Sequence, residues 1–122
     1  MKKLMPLALA TFALALTAGG PASASEAGKV FKFYCAQCHG LTGKGDGPNV
    51  TKDFPVSPRN FTSAKEMNKL SNADLRNVIL DGGPAVDKSP MMPPWGKTLT
   101  KDEVDGLIKY LRVLCKCKGK QG

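Results

Sequence analysis

The stretch Cys35-Ala36-Gln37-Cys38-His39 limits what this chain can become more than any other. Two cysteines three positions apart, with a histidine directly after, form the C-x-x-C-H pattern of covalent c-type haem attachment. The chemistry explains the spacing. Two thiols add across the two vinyl groups of one porphyrin, so they must project from about one helical turn and reach opposite edges of the ring. The adjoining His39 imidazole then supplies an axial nitrogen to the iron. A bare C-x-x-C also serves zinc ribbons and thioredoxin-like sites, so other stretches have to agree.

The amino terminus is read separately. Lys2 and Lys3 precede an apolar run from Leu4 to Ala18 that is broken only by Pro6, Thr11 and Thr17. Ala22-Ser23-Ala24 then satisfies the small-residue cleavage rule, so segment 1–24 reads as a signal peptide cleaved after Ala24. The run is shorter than the ~20 residues of a spanning helix. The remaining segment, 25–122, is long enough for one small domain with a modest core. The expected destination is the periplasm, an oxidising compartment. With 18 Lys and Arg against 10 Asp and Glu, the formal net charge is +8. Nucleic acid is a poor partner for an exported chain of this kind. The lysines suit an acidic docking partner or peripheral contact with an anionic membrane surface.

Helical spacing runs from Glu26 to His39, with Val30, Phe31, Tyr34 and Cys38 on neighbouring turns and Gly40 as the stop. Gly40, Gly43, Gly45, Gly47 and Pro48 then make an irregular loop, which continues through Pro55 and Pro58. Phe54 and Phe61 are expected in the core or the haem wall. Arg59 is a candidate for a propionate contact, since guanidinium and carboxylate match as a forked pair. Ser63 to Lys69 reads as a short helix. Ser71 with Asp74, and Thr100 with Glu103, open two more through capping boxes. Leu75, Val78 and Ile79 mark the apolar stripe of the first; Val104, Leu107, Ile108, Leu111 and Leu114 mark that of the second. No strand-like alternation persists. The fold class expected is all-α, about four helices, with long loops wrapped around one haem.

His39 is the only histidine, so a second imidazole on the iron is impossible within one subunit. The best remaining donor is a methionine thioether, which favours ferrous iron. Met67 reads as core filler. Met91 and Met92 lie in a Pro-bounded loop suited to presenting a side chain rigidly. Met92 is preferred because Pro93-Pro94-Trp95 comes directly after it; Met91 is the fallback, and Trp95 is expected on the haem wall.

Cys35-x-x-Cys38-His39 after an amino-terminal helix, Cys38 to Pro48 as C-H-G-x-x-G-x-G-D-G-P, Met92-Pro93-Pro94-Trp95-Gly96, and a last helix ending Tyr110-Leu111-Arg112 together resemble class I monohaem cytochrome c of the small bacterial periplasmic kind. The resemblance implies a haem crevice between crossing terminal helices, with His39 and Met92 on the iron. It also implies that the Pro48 carbonyl accepts the Nδ1–H of His39 and orients the ring. One departure is Cys115-Lys116-Cys117, in the Cys- and Lys-rich tail 113–122. No histidine comes after this pair, so it is no second haem site. The two thiols could bridge each other, pair with another chain or stay free.

The function these features favour is a periplasmic single-electron carrier rather than an enzyme, with Lys44, Lys88 and Lys97 flanking the ligand loops as docking contributors. A fixed haem subunit of a larger respiratory or dehydrogenase complex is the alternative. An open-site peroxidase or gas binder requires that Met92 leave the iron unligated.

Overall fold

Three helix starts follow from side chains that satisfy the first orphaned backbone N–H groups. Ser63 caps Ala64–Met67, and full capping boxes open Asn72–Asp81 (Ser71 with Asp74) and Lys101–Cys115 (Thr100 with Glu103). These are α2, α3 and α4. The first helical run, α1, joins Ala24–Val30, a π-helical turn over Phe31–Cys35, and Ala36–His39. The computed structural model describes residues 23–121, and no strand occurs among them. Apart from Ser23 and Ala24, which open α1, the expected signal segment lies outside the described residues. No described helix is long and apolar enough to cross a membrane.

The π-helical turn changes which residues α1 buries. Ala27, Phe31 and Ala36 are buried, while Tyr34 and Cys35 are only partly so. The first pair is spaced by four positions and the second by five. A wider turn absorbs the extra residue and keeps the apolar side facing the core while rotating everything after it. Of the expected face, Phe31 is buried and Val30, Tyr34 and Cys38 are half-buried, while Ala27 and Ala36 join Phe31 in the core.

The terminal helices α1 and α4 pack on each other more extensively than any other pair of separate helices. Phe31 sits against Tyr110 with ring centroids 5.2 Å apart. On α4, Val104, Leu107, Ile108 and Leu111 are buried as the stripe requires, together with Cys115; Leu114 is partly buried. Leu75 and Ile79 from α3 and Met67 from α2 complete the core, with Met67 fully buried as core filler. Arg76 and Lys101 both bond Asp105, so one carboxylate ties α3 to the start of α4.

The carboxy-terminal cysteines bond to each other: Cys115 and Cys117 form a disulfide over one intervening residue. Lys116 between them takes a left-handed conformation (φ 49°) that ends α4. The tail then turns back over the α2–α3 connection. Lys120 N–H donates to the Leu70 carbonyl, and Gly119 N–H to the Asn68 side chain.

Candidate functional site

Two loops are strapped to two helix ends, and between them lies an apolar cleft. The first is the Gly-rich loop after α1. Gly45, Gly47 and Asn49 donate their N–H groups to the carbonyls of His39, Cys38 and Gln37, at 2.8, 3.1 and 2.9 Å. Carbonyls that a helix end leaves unpaired are thus satisfied by the adjoining loop. So close a crossing admits no side chain at Gly47, where a Cβ would lie 2.4 Å from the Gln37 carbonyl oxygen. Gln37, Cys38 and His39 of the motif are held by this strap.

The second loop, 87–99, is clasped to the end of α3. Gly83 N–H donates to the Met92 carbonyl, while Trp95 and Gly96 N–H groups donate to the Ile79 and Leu80 carbonyls. Gly82 (φ 81°) passes so close that a Cβ would stand 2.8 Å from the Met92 oxygen. The backbone at Met92 is therefore fixed from both sides, whatever its side chain binds.

Cys35, His39, Met92 and Trp95 line the cleft, with Phe31, Phe61, Ile79, Leu99, Leu107 and Leu111 as its apolar walls. Cys38 lies half-buried on the same last turn of α1 as His39. Met91 does not line the cleft and is exposed. Pro48 is also exposed, and Arg59 half-buried.

Nδ1 of His39 lies 3.1 Å from the carbonyl oxygen of Arg59. A carbonyl only accepts, so Nδ1 carries the proton and Nε2 keeps its lone pair. The carbonyl expected here was that of Pro48. The correction has a topological cause: the strap ends near Pro48, and the next segment, 58–61, is the one brought against the imidazole, with Phe61 N–H donating to the Gly43 carbonyl. The Phe61 ring stacks on the imidazole at 4.4 Å and 24°. Arg59 serves through its backbone, while its guanidinium pairs with Glu66 at 3.3 Å.

Burial lowers the His39 pKa below the ordinary histidine value, with the Arg59 carbonyl opposing in part, so the ring is neutral at pH 7. Burial also pushes the Cys35 thiol up to about 12, and neighbouring Cys38 adds to the effect. A thioredoxin-like exchange site needs the opposite, a stabilised thiolate. Nor are four cysteines gathered for zinc: Cys35 and Cys38 are unpaired, while Cys115 and Cys117 bond to each other. Two free thiols on one turn, a neutral imidazole with its outer nitrogen engaged, and an apolar cleft with one thioether on its wall fit a covalent haem. Sequence reasoning missed the Arg59 carbonyl, the stacking of Phe61 on His39 and the clasp at Gly82. Only the glycines at 82 and 83 carried any signal for the last.

The comparisons agree with this geometry. Residues 22–111 match the family described as cytochrome c oxidase, cbb3-type, subunit III. Among solved structures, the c-type cytochrome KustC0563 superposes with a TM-score of 0.54 at 26% identity, covering 77% of this chain and 98% of that one. No curated protein matches the sequence.

Proposed function

Because the chain belongs to that family of c-type cytochrome domains and is a monohaem cytochrome c carrying one covalent haem, we propose that it is a periplasmic single-electron carrier with His39 and Met92 as axial ligands. The observation that carries the reading is that His39 and Met92 border one apolar cleft, each held by a backbone strap of its own. When bound, the haem supplies one-electron iron chemistry. Cys35 and Cys38 anchor it through thioethers, His39 offers Nε2 and Met92 its sulphur. The Arg59 carbonyl and the Phe61 ring hold the imidazole plane, and the apolar walls exclude water. With His39 and Met92 both bound to the iron, no coordination site would be left for oxygen or peroxide, and the chain would transfer electrons rather than transform a substrate.

A second reading is favoured by the description of the matching family, that of an oxidase subunit: a fixed haem subunit in a larger complex. Size determination on the exported protein separates the two, since a monodisperse monomer supports the carrier and co-purification with a larger assembly supports the subunit. The ligand set is tested by absorption spectroscopy. A pyridine haemochrome of the c type and the weak long-wavelength ferric band of an iron–sulphur bond are expected. That band should vanish in Met92→Ala and persist in Met91→Ala. Prompt carbon monoxide binding by the reduced wild-type protein would show an open iron site and overturn the carrier.

A further inference from the structure

The bridge at the end of α4 is required by neither the haem site nor the fold. Lys116 N–H donates to the Val113 carbonyl and Cys117 N–H to that of Arg112, at 3.1 and 3.2 Å. These two bonds, with Lys116 left-handed between them, end the helix without help from the sulphurs. The tail beyond has its own anchors, Gly119 to the Asn68 side chain and Lys120 to the Leu70 carbonyl. The two sulphurs therefore stay neighbours whether or not they are joined. A bond over one intervening residue also restricts the unfolded chain little. A disulfide of small structural consequence, with its halves held together by the backbone, is suited to opening and closing.

The two sulphurs are unlike. Cys115 is 3% exposed, whereas Cys117 is half-buried between the exposed Lys116 and Lys118. An incoming thiolate thus reaches Cys117. Nη1 of Arg112 stands 3.9 Å from the Cys117 Sγ. The guanidinium is fixed there, because it donates to the carbonyls of Met67 and Leu70 and to Oδ1 of Asn72, at 2.8, 2.6 and 2.9 Å. All three acceptors are neutral, and no carboxylate pairs with Arg112 among the described residues. Asp74 of α3 feels Lys120 of the tail but is engaged in the Ser71 capping box. A cation with no anion of its own, held against a sulphur, stabilises that sulphur as a thiolate.

We propose that Cys115–Cys117 is a thiol–disulfide exchange site, separate from the haem, that takes two electrons from a dithiol. One thiolate of the dithiol attacks the Cys117 Sγ. A bond forms between them, the bond to Cys115 breaks, and Cys115 leaves with the electron pair and takes up a proton. The second sulphur of the dithiol, having lost its proton, attacks the first, and Cys117 leaves as a thiolate beside Arg112. The dithiol ends as a disulfide, and the pair at 115 and 117 ends reduced. Another disulfide compound re-closes the pair by the same steps in reverse. Because Arg112 stabilises the reduced pair, the closed bond acts as an oxidant.

The test uses the haem-loaded full chain, in which Cys35 and Cys38 are tied up as thioethers. A reduced two-cysteine peptide is the probe dithiol, glutathione is the redox buffer, and alkylation followed by intact mass is the readout. At pH 8 the pair should open at glutathione ratios that leave a structural disulfide closed. The peptide should gain a disulfide as the pair is reduced, with the visible spectrum unchanged. In Cys115→Ser, alkylation of Cys117 should have a midpoint at least about one pH unit below the ~8.5 of a free thiol. Arg112→Gln should raise that midpoint and move the glutathione equilibrium of the intact pair about tenfold toward the disulfide. Arg112→Lys, which keeps the charge, should restore most of both. Cys115→Ser/Cys117→Ser should oxidise no peptide and keep the visible spectrum. A pair that stays closed in excess reduced glutathione, or a Cys117 midpoint at or above the free-thiol value, overturns the exchange site.

Discussion

At His39 two separate contacts decide how the imidazole is held. The hydrogen bond to Arg59 is made by a backbone carbonyl, so it is indifferent to the side chain at that position. Arg59→Ala should therefore leave the visible spectrum and the ferric sulphur band intact, and lose only its exposed pair with Glu66, worth at most about 1 kcal/mol. Phe61 differs, because its ring is both core and support for the imidazole. Phe61→Ala should cost about 3–5 kcal/mol in chemical denaturation and broaden the axial-ligand signals in electron paramagnetic resonance. Gly47 is a third single-residue determinant. Any side chain there meets the carbonyls of Gln37 and Ala36, so Gly47→Ala should lower the yield of haem-loaded protein by displacing the turn that carries Cys38 and His39.

Among the elements, α4 depends most on its first turn and on Asp105. The Thr100–Glu103 capping box is complete, and Thr100→Ala should cost about 1 kcal/mol. Asp105 accepts bonds from Lys101 and Arg76, which hold its carboxyl below the usual aspartate value. A carboxylate with a depressed folded-state pKa contributes stability that is fully present above its unfolded value near 4. That stability is lost as pH falls through the folded value. Melting temperature should thus drop on acidification below about pH 4. Asp105→Asn should shallow that acid limb while also lowering stability at neutral pH; an acid limb unchanged in the variant would show that the α3–α4 tie does not contribute.

The molecule as a whole is built around a cleft that doubles as its core. Phe31, Ile79, Leu99, Leu107 and Leu111 belong to the buried cluster and also line the site. A chain of this size has little other apolar surface to bury, so the haem should be an integral part of its stability. The double variant Cys35→Ala/Cys38→Ala, which cannot attach haem, should show reduced far-ultraviolet helicity and a broad, weakly cooperative melt. The Cys115–Cys117 bridge closes a ring too short to restrict the unfolded chain much. Reduction by dithiothreitol should lower the melting temperature of the haem-loaded protein by only a few degrees, corresponding to about 1–2 kcal/mol.

Much of the fold and of the haem site was legible in the sequence, and for a consistent reason. C-x-x-C-H, the capping boxes at Ser71 and Thr100 and the apolar stripe of α4 are relations between residues close in the chain, so local geometry alone enforces them. The cofactor and the helical class rest on such short-range patterns. Three features were decided only in the folded chain. The π-helical turn in α1 answers to the core it faces, because Ala36 rather than Tyr34 has to be buried. The carbonyl against His39 belongs to Arg59, twenty positions away, because 58–61 is the segment folded back over the ring. The pairing of Cys115 with Cys117 follows from where α4 stops, with Lys116 left-handed between them. Covalent spacing determines which chemistry the chain can hold; contacts between segments far apart in sequence determine which backbone atoms orient it.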